Sequence, residues 1–401
     1  MLILIFNCGS SSLKFELFEF VQPTGARERT LARGEYEDIG RPNAKRTLIA
    51  ESGGKSVSDW NGNDHPTAAI DVLAWLESTM GSLALAAVAH RIVHGGDHVR
   101  EPTLADAAVI RALEEASRFA PLHNPPALAT LRAVSAKMPS VASVVVTDTA
   151  FHATMPAYAR AYALPRDLTE KHGIRRFGFH GIGHAYMLER YAELTGAAVD
   201  RLNLVTMQLG AGCSMAAIRN GRSIDTSMGL TPLEGLVMAT RCGDIDPAIF
   251  SYLARNEAMT PDEIEQMLNH RSGLLGLSGI SEDMRDVLAA AKSDPDGAAA
   301  LAVAVFVHRA RKYLGAYFAV LGRVDGIVFA GGIGEHAAEI RMRICAGLEA
   351  FGIKLDPQAN IEAKGREALI SSPDASVKTY VIPLDEERYI ARAAVRLIAR
   401  G

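Results

Sequence analysis

The sequence predicts an α/β protein built from two related domains. Three observations carry that prediction. Short apolar strands alternate with longer helical stretches along the chain. A pattern of strand, small-residue turn and strand occurs near the start and again past the middle. The chain has 401 residues, room for two or three domains at about 150 residues each.

The elements follow in order. An apolar strand, Leu2–Phe6, runs into Asn7-Cys8-Gly9-Ser10-Ser11-Ser12, and a second strand follows over Leu13–Phe18. Gly53–His65 is rich in Gly, Ser, Asn and Asp and reads as an exposed loop. The apolar stretch Leu83–Ala89 leads to Arg91, which places that arginine near a strand end. Helices are expected over Asp106–Arg118 and Ala127–Ala136, with a loop between them whose path Pro121, Pro125 and Pro126 fix. Val141–Val146 is a strand. Leu202–Met207 opens the second copy of the pattern. It runs through Gln208-Leu209-Gly210-Ala211-Gly212-Cys213-Ser214 into Met215–Ile218, and then reaches Asn220-Gly221, a hairpin signal. Helices over Pro261–Asn269, Asp296–Leu321 and Ile340–Phe351, and a strand over Gly326–Phe329, complete the chain. Two such openings predict duplicated domains facing each other across a cleft. Their boundary is expected near Ala150.

Composition removes several classes. The chain is 48% hydrophobic and 22% charged, so it is not a disordered one. A net charge of −4 gives no general reason to bind nucleic acid or an anionic membrane. No apolar run reaches the ~18–20 residues of a membrane helix. The N-terminus lacks a basic segment and turns polar at Asn7, so it does not read as a signal peptide. Cys8, Cys213, Cys242 and Cys345 form no CxxC pair, so neither a zinc site nor a disulfide framework follows and a reducing cytoplasm fits.

Eight stretches could carry chemistry. Ser10, Ser12 and Lys14 share a face on an extended chain and, with Asn7, suit a phosphoryl group; they equally suit a polar hairpin face. The turn is not a Walker A loop, because it joins two strands and lacks GxxxxGK[ST]. Arg91, between His90 and His94-Gly95-Gly96, can grip a carboxylate or phosphate bidentately or form an ordinary salt bridge. His123 faces a substrate or simply packs. Asp148, after an apolar strand, is placed to hold Mg²⁺ or to cap the next element. His180, in Phe177-Gly178-Phe179-His180-Gly181, can donate to charge on a transferring phosphoryl group or bond to backbone. Arg241 lies downstream of Asp225–Gly235, a polar and turn-rich stretch that serves a site or forms a structural loop. Ile327–Glu335 reads as a strand feeding a Gly-rich loop and then a helix, an arrangement suited to an anion and a flat base. Asp385-Glu386-Glu387 reads as the acidic first turn of a helix.

Together, NCGSSSLKF, HRIVHGG, DTAFH, FGFHG, DTSMGLTPLEG, TRCGDIDP, GGIGE and the closing DEE resemble the acetate kinase family, within the sugar-kinase, chaperone-ATPase and actin superfamily. The resemblance runs from Leu2 to about Ala394. It implies two actin-like (ribonuclease H-like) domains, residues 1–150 plus 385–401 and residues 151–384, flanking a nucleotide cleft. It implies phosphoryl transfer from ATP to acetate with Mg²⁺ or Mn²⁺, in a cytoplasmic homodimer without nucleic-acid or membrane partners. Arg91 and Arg241 would orient the carboxylate and neutralise the phosphoryl group, and His180 would stabilise the transition state. Asp148 and Glu386 would position the metal, assisted by Asn7. Ser10, Ser12 and Lys14 would support that end, with His123 close by. Gly210, Gly212, Gly331, Gly332, Ile333 and Gly334 would line the nucleotide side. Val93, Leu122, Phe179 and Pro232 would form the pocket for the acetate methyl.

The chain departs from the family pattern at four positions. Gln208 stands where the family has His, Ala211 where it has Asn, Gly183 where it has Ser, and His336 where it has Asn. Losing the Asn amide removes a donor near the phosphates, worth ~1.5–3 kcal/mol if its partner is charged. The alternatives are a propionate or butyrate kinase, a nucleotide-binding homologue with weak turnover, and a kinase using another phosphoryl donor such as pyrophosphate.

Overall fold

The computed structural model describes residues 1–21, 28–51 and 53–400. The chain divides into two compact units, Met1–Phe151 with Asp385–Gly401, and His152–Leu384.

The first unit contains β1 (Leu2–Cys8), β2 (Leu13–Phe20), β3 (Glu28–Glu37), β4 (Lys45–Ala50), β5 (Gly54–Asp59), α1 (His65–Met80), β6 (Leu85–Ile92), β7 (Thr103–Leu104), α2 (Ala107–Ala116), α3 (Asn124–Lys137) and β8 (Ala142–Thr147). The C-terminal helix, Glu386–Ile398, belongs to it as well. The strands form one sheet in the order β5-β4-β3-β2-β1-β6-β8-β7. β1, β6 and β8 run parallel, while β1 to β5 form an antiparallel meander. Alternation along β1 and β2 sorts their side chains. Leu4, Phe6, Leu13 and Phe15 enter an apolar core with Val72 and Leu76 of α1 and Leu128 and Leu131 of α3. The C-terminal helix packs against β1, β2 and β6.

Two expectations fail in this unit. Gly53–His65 is not a plain loop, because Gly54–Asp59 pairs antiparallel with β4 as a fully exposed edge strand. Such a strand has no buried face, so it carries no apolar alternation to read. Pro125 and Pro126 do not form a loop. They occupy the first turn of α3, where a missing N–H costs nothing.

The second unit contains α4 (Ala157–Arg160), α5 (Arg166–His172), α6 (Gly181–Thr195), β9 (Leu204–Leu209), β10 (Cys213–Arg219), β11 (Arg222–Thr226), α7 (Ala248–Asn256), α8 (Pro261–His270), α9 (Gly273–Ser278), α10 (Met284–Ser293) and α11 (Ala298–Leu321). It continues with β12 (Gly326–Ala330), α12 (Gly331–His336), α13 (Ala338–Cys345), α14 (Pro357–Glu362), β13 (Ala368–Leu369) and β14 (Lys378–Val381). Its sheet has the order β11-β10-β9-β12-β14-β13, with β9, β12 and β14 parallel. β10 and β11 join through Asn220 and Gly221, both at positive φ, as the turn signal predicts. The helix expected to run to Phe351 stops at Cys345, ahead of left-handed Gly347, and Glu349–Phe351 is a separate 3₁₀ turn. No Gly-rich loop follows β12 either: the strand passes directly into the six residues of α12. Among the described residues no helix is long and apolar enough to cross a membrane.

Candidate active site

In the first unit, register brings the polar residues together. Lys14 of β2 pairs with Asn7 of β1, and Asn7 pairs with Arg91 of β6, so the three share one row on one face of the sheet. Arg91 is held from several sides. Its Nε and Nη2 donate to both oxygens of Asp148, at 3.0 and 2.7 Å, and Nη1 donates to Asn7 Oδ1 at 2.9 Å. Glu386 Oε2 stands 4.0 Å from Nη1. Asn7 Nδ2 in turn donates to Glu387 Oε1 at 2.8 Å. Asp148 follows the end of β8 and its side chain is 2% exposed, so bidentate pairing with Arg91 is what makes its burial tolerable.

Glu16, not singled out from the sequence, joins this cluster beside the Asp385-Glu386-Glu387 stretch. Glu387, Glu16 of β2 and Asp385 each present a carboxylate oxygen within 4.8 Å of the others. Burial pushes the Glu16 carboxyl up to about 7, and the nearby Asp385 and Glu387 push the same way. Glu387 is also raised, by burial and then by the charge of Glu386. The β2 alternation could have revealed Glu16, since it lies two residues from Lys14 on the same face. Ser10 is exposed, and Ser12 closes the β1–β2 turn by accepting from Gly9 N–H through its carbonyl. Lys14 pairs with Glu35 at 3.7 Å. Val93 is buried, Leu122 is 62% exposed, and His123 sits at the N-cap position of α3 without a side-chain capping bond.

In the second unit the centre is His180. It precedes α6 in a left-handed conformation, φ 57°, uncommon for a residue with a side chain. A relay orients its ring: Thr206 Oγ1 meets His184 Nδ1 at 2.7 Å, His184 Nε2 meets Ser214 Oγ at 2.8 Å, and Ser214 Oγ meets His180 Nδ1 at 2.9 Å. Burial holds His184 well below the usual histidine range, so its ring is neutral and donates from one nitrogen only. His180 Nε2 lies beside the β9–β10 turn. A methyl placed on Gly212 would lie 3.4 Å from that nitrogen and 3.6 Å from Arg241 Nη1. Arg241 donates to Pro232 O at 3.1 Å, and no carboxylate lies within ion-pair range of it among the described residues. Burial lowers its proton affinity, as expected of a guanidinium with no anion beside it.

The scaffold behind these residues is polar and closed. Arg176 Nη1 donates to three successive carbonyls, Thr226, Ser227 and Met228, each at 3.0 Å, and Nη2 pairs with Glu234. Arg309 and Tyr313 hold Asp244, which accepts from Gly235 N–H at 2.9 Å. These contacts fix the path of Asp225–Gly235. His152 bridges Ser223 Oγ and Phe179 O, which sets the backbone just ahead of His180. Phe179 itself is buried.

Beside the β9–β10 turn lies a cavity of about 610 Å³. Gly210, Ala211, Gly332 and Ile333 line it, as do Ala239, Asp283, Met284, Arg285, His336 and Lys364. Gly331 starts α12 with φ 75°, and a Cβ there would come within 2.7 Å of Leu209 O, so only glycine brings α12 this close to β9. Asp283 and Arg285 carry no sequence motif; a cap at the start of α10 is all the local pattern shows. Two of the four departures from the family pattern meet: a Cβ on Gly183 would lie 2.1 Å from Gln208 Oε1. The glutamine therefore occupies the space that the glycine leaves. The other two, Ala211 and His336, both line the cavity.

The chain is similar to known proteins over nearly its whole length. The acetokinase family profile matches residues 2–392. Acetate kinase of Dictyoglomus turgidum is 46% identical over 99% of this chain and 98% of its own. Acetate kinase of Methanosarcina thermophila is 43% identical over 99% and 97%. Among solved structures, Porphyromonas gingivalis acetate kinase superposes with a TM-score of 0.92 at 38% identity, covering 99% of both chains. A propionate kinase from Francisella tularensis superposes with a TM-score of 0.89 at 39% identity, covering 98% of both. A family match over nearly the whole chain, joined to the two-sheet fold and its arginine and histidine clusters, shows that this chain belongs to the acetokinase family.

Proposed function

We propose that this chain catalyses reversible phosphoryl transfer between ATP and acetate, giving ADP and acetyl phosphate. The observation that carries the reading is Arg241, a half-buried guanidinium with no carboxylate partner among the described residues, standing with His180 over the Gly210–Gly212 turn. A desolvated cation without an anion is costly unless a ligand supplies one, and a phosphoryl group supplies it. An acetate oxygen attacks the γ-phosphorus, the bond to the β,γ-bridging oxygen breaks, and ADP leaves with that electron pair. No proton needs to move, so no protein base or nucleophile is required. The chain's part is to position and to cancel charge.

Each residue then has a task. Arg91, locked by Asp148 and Asn7, presents a fixed guanidinium to the carboxylate. Arg241 neutralises the transferring group. His180 donates from Nε2, with its ring set by Ser214 and His184. The cavity beside the turn takes the nucleotide, with Gly332 and Ile333 on one wall and Asp283 and Arg285 on another. Val93, Leu122, Phe179 and Pro232 are assigned to the acetate methyl. Ser10, Ser12 and Lys14 support the phosphoryl end.

Oxygen donors of this kind suit a hard divalent cation such as Mg²⁺, and Glu16, Asp385 and Glu387 crowd one another at the same helix start. Glu386, Glu387 and Asn7 would hold it. Asp148, with both oxygens on Arg91, would reach it through water. When bound, the cation supplies charge neutralisation to the phosphates. The free cysteines suit a reducing cytoplasm. A homodimer is supported by α7, which buries no residue of its own and exposes Tyr252 with Ile249 and Phe250; Tyr252→Glu is expected to yield monomers in light scattering.

The test is to mix ATP, Mg²⁺ and acetate with hydroxylamine and measure acetyl hydroxamate. Absence of product from folded protein would overturn the proposal. A second reading, propionate as acceptor, is favoured by the similarity to a solved propionate kinase. One methylene discriminates by only ~1–3 kcal/mol, and kcat/KM on acetate, propionate and butyrate decides it.

A further inference from the structure

We infer that Arg341 is a positioning residue for nucleotide binding, acting through α12. The inference rests on the assignment of the 610 Å³ cavity to the nucleotide.

Arg341, on α13, is wholly buried and is the largest fully buried side chain among the described residues. No carboxylate pairs with it among the described residues. Its partners are neutral oxygens: Nη1 donates to Gly334 O at 2.7 Å and to Glu335 O at 3.0 Å, while Nε donates to Asn360 Oδ1 at 2.8 Å and Nη2 to Asn360 O. Burial draws its proton affinity down to about 10, which still leaves it charged at neutral pH. Burying a cation without a counter-anion is expensive, so its retention calls for a specific return.

That return is visible in where the guanidinium points. Gly334 and Glu335 lie near the end of α12, where the last carbonyls of a helix lack intrahelical partners. In so short a helix those carbonyls are a large share of its backbone. Arg341 ties two of them at once and fastens them to Asn360 on α14, whose Nδ2 donates to Ala338 O at 2.9 Å. The start of α12 has its own tie, Gly331 N–H to Glu335 Oε1 at 2.9 Å. Gly332 and Ile333, between the two ties, and His336, just past them, line the cavity together with Gly210 and Ala211. Arg341 does not itself line the cavity. It fixes the element that forms the wall.

The test uses the full chain with Arg341→Met, which keeps bulk and removes all donors, and Arg341→Lys, which keeps charge but loses the planar fork. ADP affinity is measured by calorimetry well below each variant's melting temperature. KM for ATP, KM for acetate and kcat are measured alongside. Arg341→Met is expected to raise the ADP Kd and the ATP KM about tenfold or more, with Arg341→Lys between it and wild type. KM for acetate and kcat at saturating ATP should stay within about threefold. A purely structural arginine would lower the melting temperature and leave the ADP Kd of the folded protein unchanged. An ADP Kd within twofold of wild type in Arg341→Met, or ATP and acetate KM rising together, would overturn the inference. If Arg341→Met does not fold, Arg341→Lys and Asn360→Ala are judged by the same criteria. Wild-type protein that binds no ADP would instead overturn the nucleotide assignment itself.

Discussion

Arg91 and Arg241 are both arginines in desolvated settings, yet their surroundings differ. Arg91 is neutralised by Asp148 within its own unit, so it serves as a fixed template. Arg241 Nη1 bonds Pro232 O and the Met238 sulfur and has no carboxylate partner among the described residues, so its charge is available to a ligand. Arg241→Ala is therefore expected to lower kcat at least about 100-fold, the scale of losing a charge-stabilising donor, with the circular dichroism spectrum unchanged. Near-normal kcat would remove Arg241 from the mechanism. Gly183 and Gln208 form a second residue-scale case. Gly183→Ser forces the glutamine amide out of its place and should cost about 1 kcal/mol in urea unfolding, a typical overpacking penalty. Gln208→Ala should relieve that cost, with a coupling energy of at least about 0.5 kcal/mol in a double-mutant cycle. Strict additivity would show that the two departures are independent. Neither residue signals the other in the sequence, because their contact joins α6 to β9.

Among the elements, the C-terminal helix shows how a distant segment is secured. Its apolar face meets β1 and β6, and its polar face is fastened by a buried acid. Glu28, at the start of β3, accepts from Arg388 at 3.1 Å and from Arg392 at 2.7 Å, with its side chain only 4% exposed. Removing one member of a buried charge cluster strands the others. Glu28→Ala is expected to destabilise the protein by about 2–4 kcal/mol in urea, with Glu28→Gln closer to wild type. Loss of less than about 0.5 kcal/mol would mean that apolar packing alone holds the helix. The same helix presents Glu386 and Glu387, so Glu28→Ala should also raise the Mg²⁺ concentration needed for half-maximal rate. A long apolar helix such as α11 and the continuous apolar runs of the β9–β10 pair with their small-residue turn were legible in the sequence. The edge strand β5 and the direct passage from β12 into α12 were not, because backbone pairing and a single left-handed glycine decided them.

For the whole molecule, buried histidines set a pH limit. His90, on the core face of β6, stacks on Phe6, and neither ring nitrogen has a hydrogen-bond partner among the described residues. Burial lowers it to about 3 and lowers His152 to about 4. Both lie below the unfolded value near 6.5, so between those limits the unfolded chain binds more protons. Stability is then full above about pH 6.5 and falls as pH drops through 6 and 5, by up to ~1.4 kcal/mol per unit for each such group. His90→Leu removes one of these protons and an unsatisfied polar group. It should leave stability at pH 7 equal or higher and flatten the slope between pH 6.5 and 4 by about one proton. An unchanged slope would show that His90 is not the group responsible.

By itself, the sequence determined the α/β class, the family, and most of the strands and long helices, because periodicity and turn residues are local signals. It also singled out Asn7, Arg91, Asp148 and Glu386, through motifs that stand far apart along the chain. Tertiary structure alone decided what those residues touch. Strand register, not spacing, puts Lys14, Asn7 and Arg91 in one row and gives both Asp148 oxygens to Arg91. Helix packing, not any motif, brings Asp283 and Arg285 to the cavity and closes Arg341 around α12. Charge placed in a low-dielectric interior takes its meaning from its nearest partner, and partners from different elements meet only once the chain has folded.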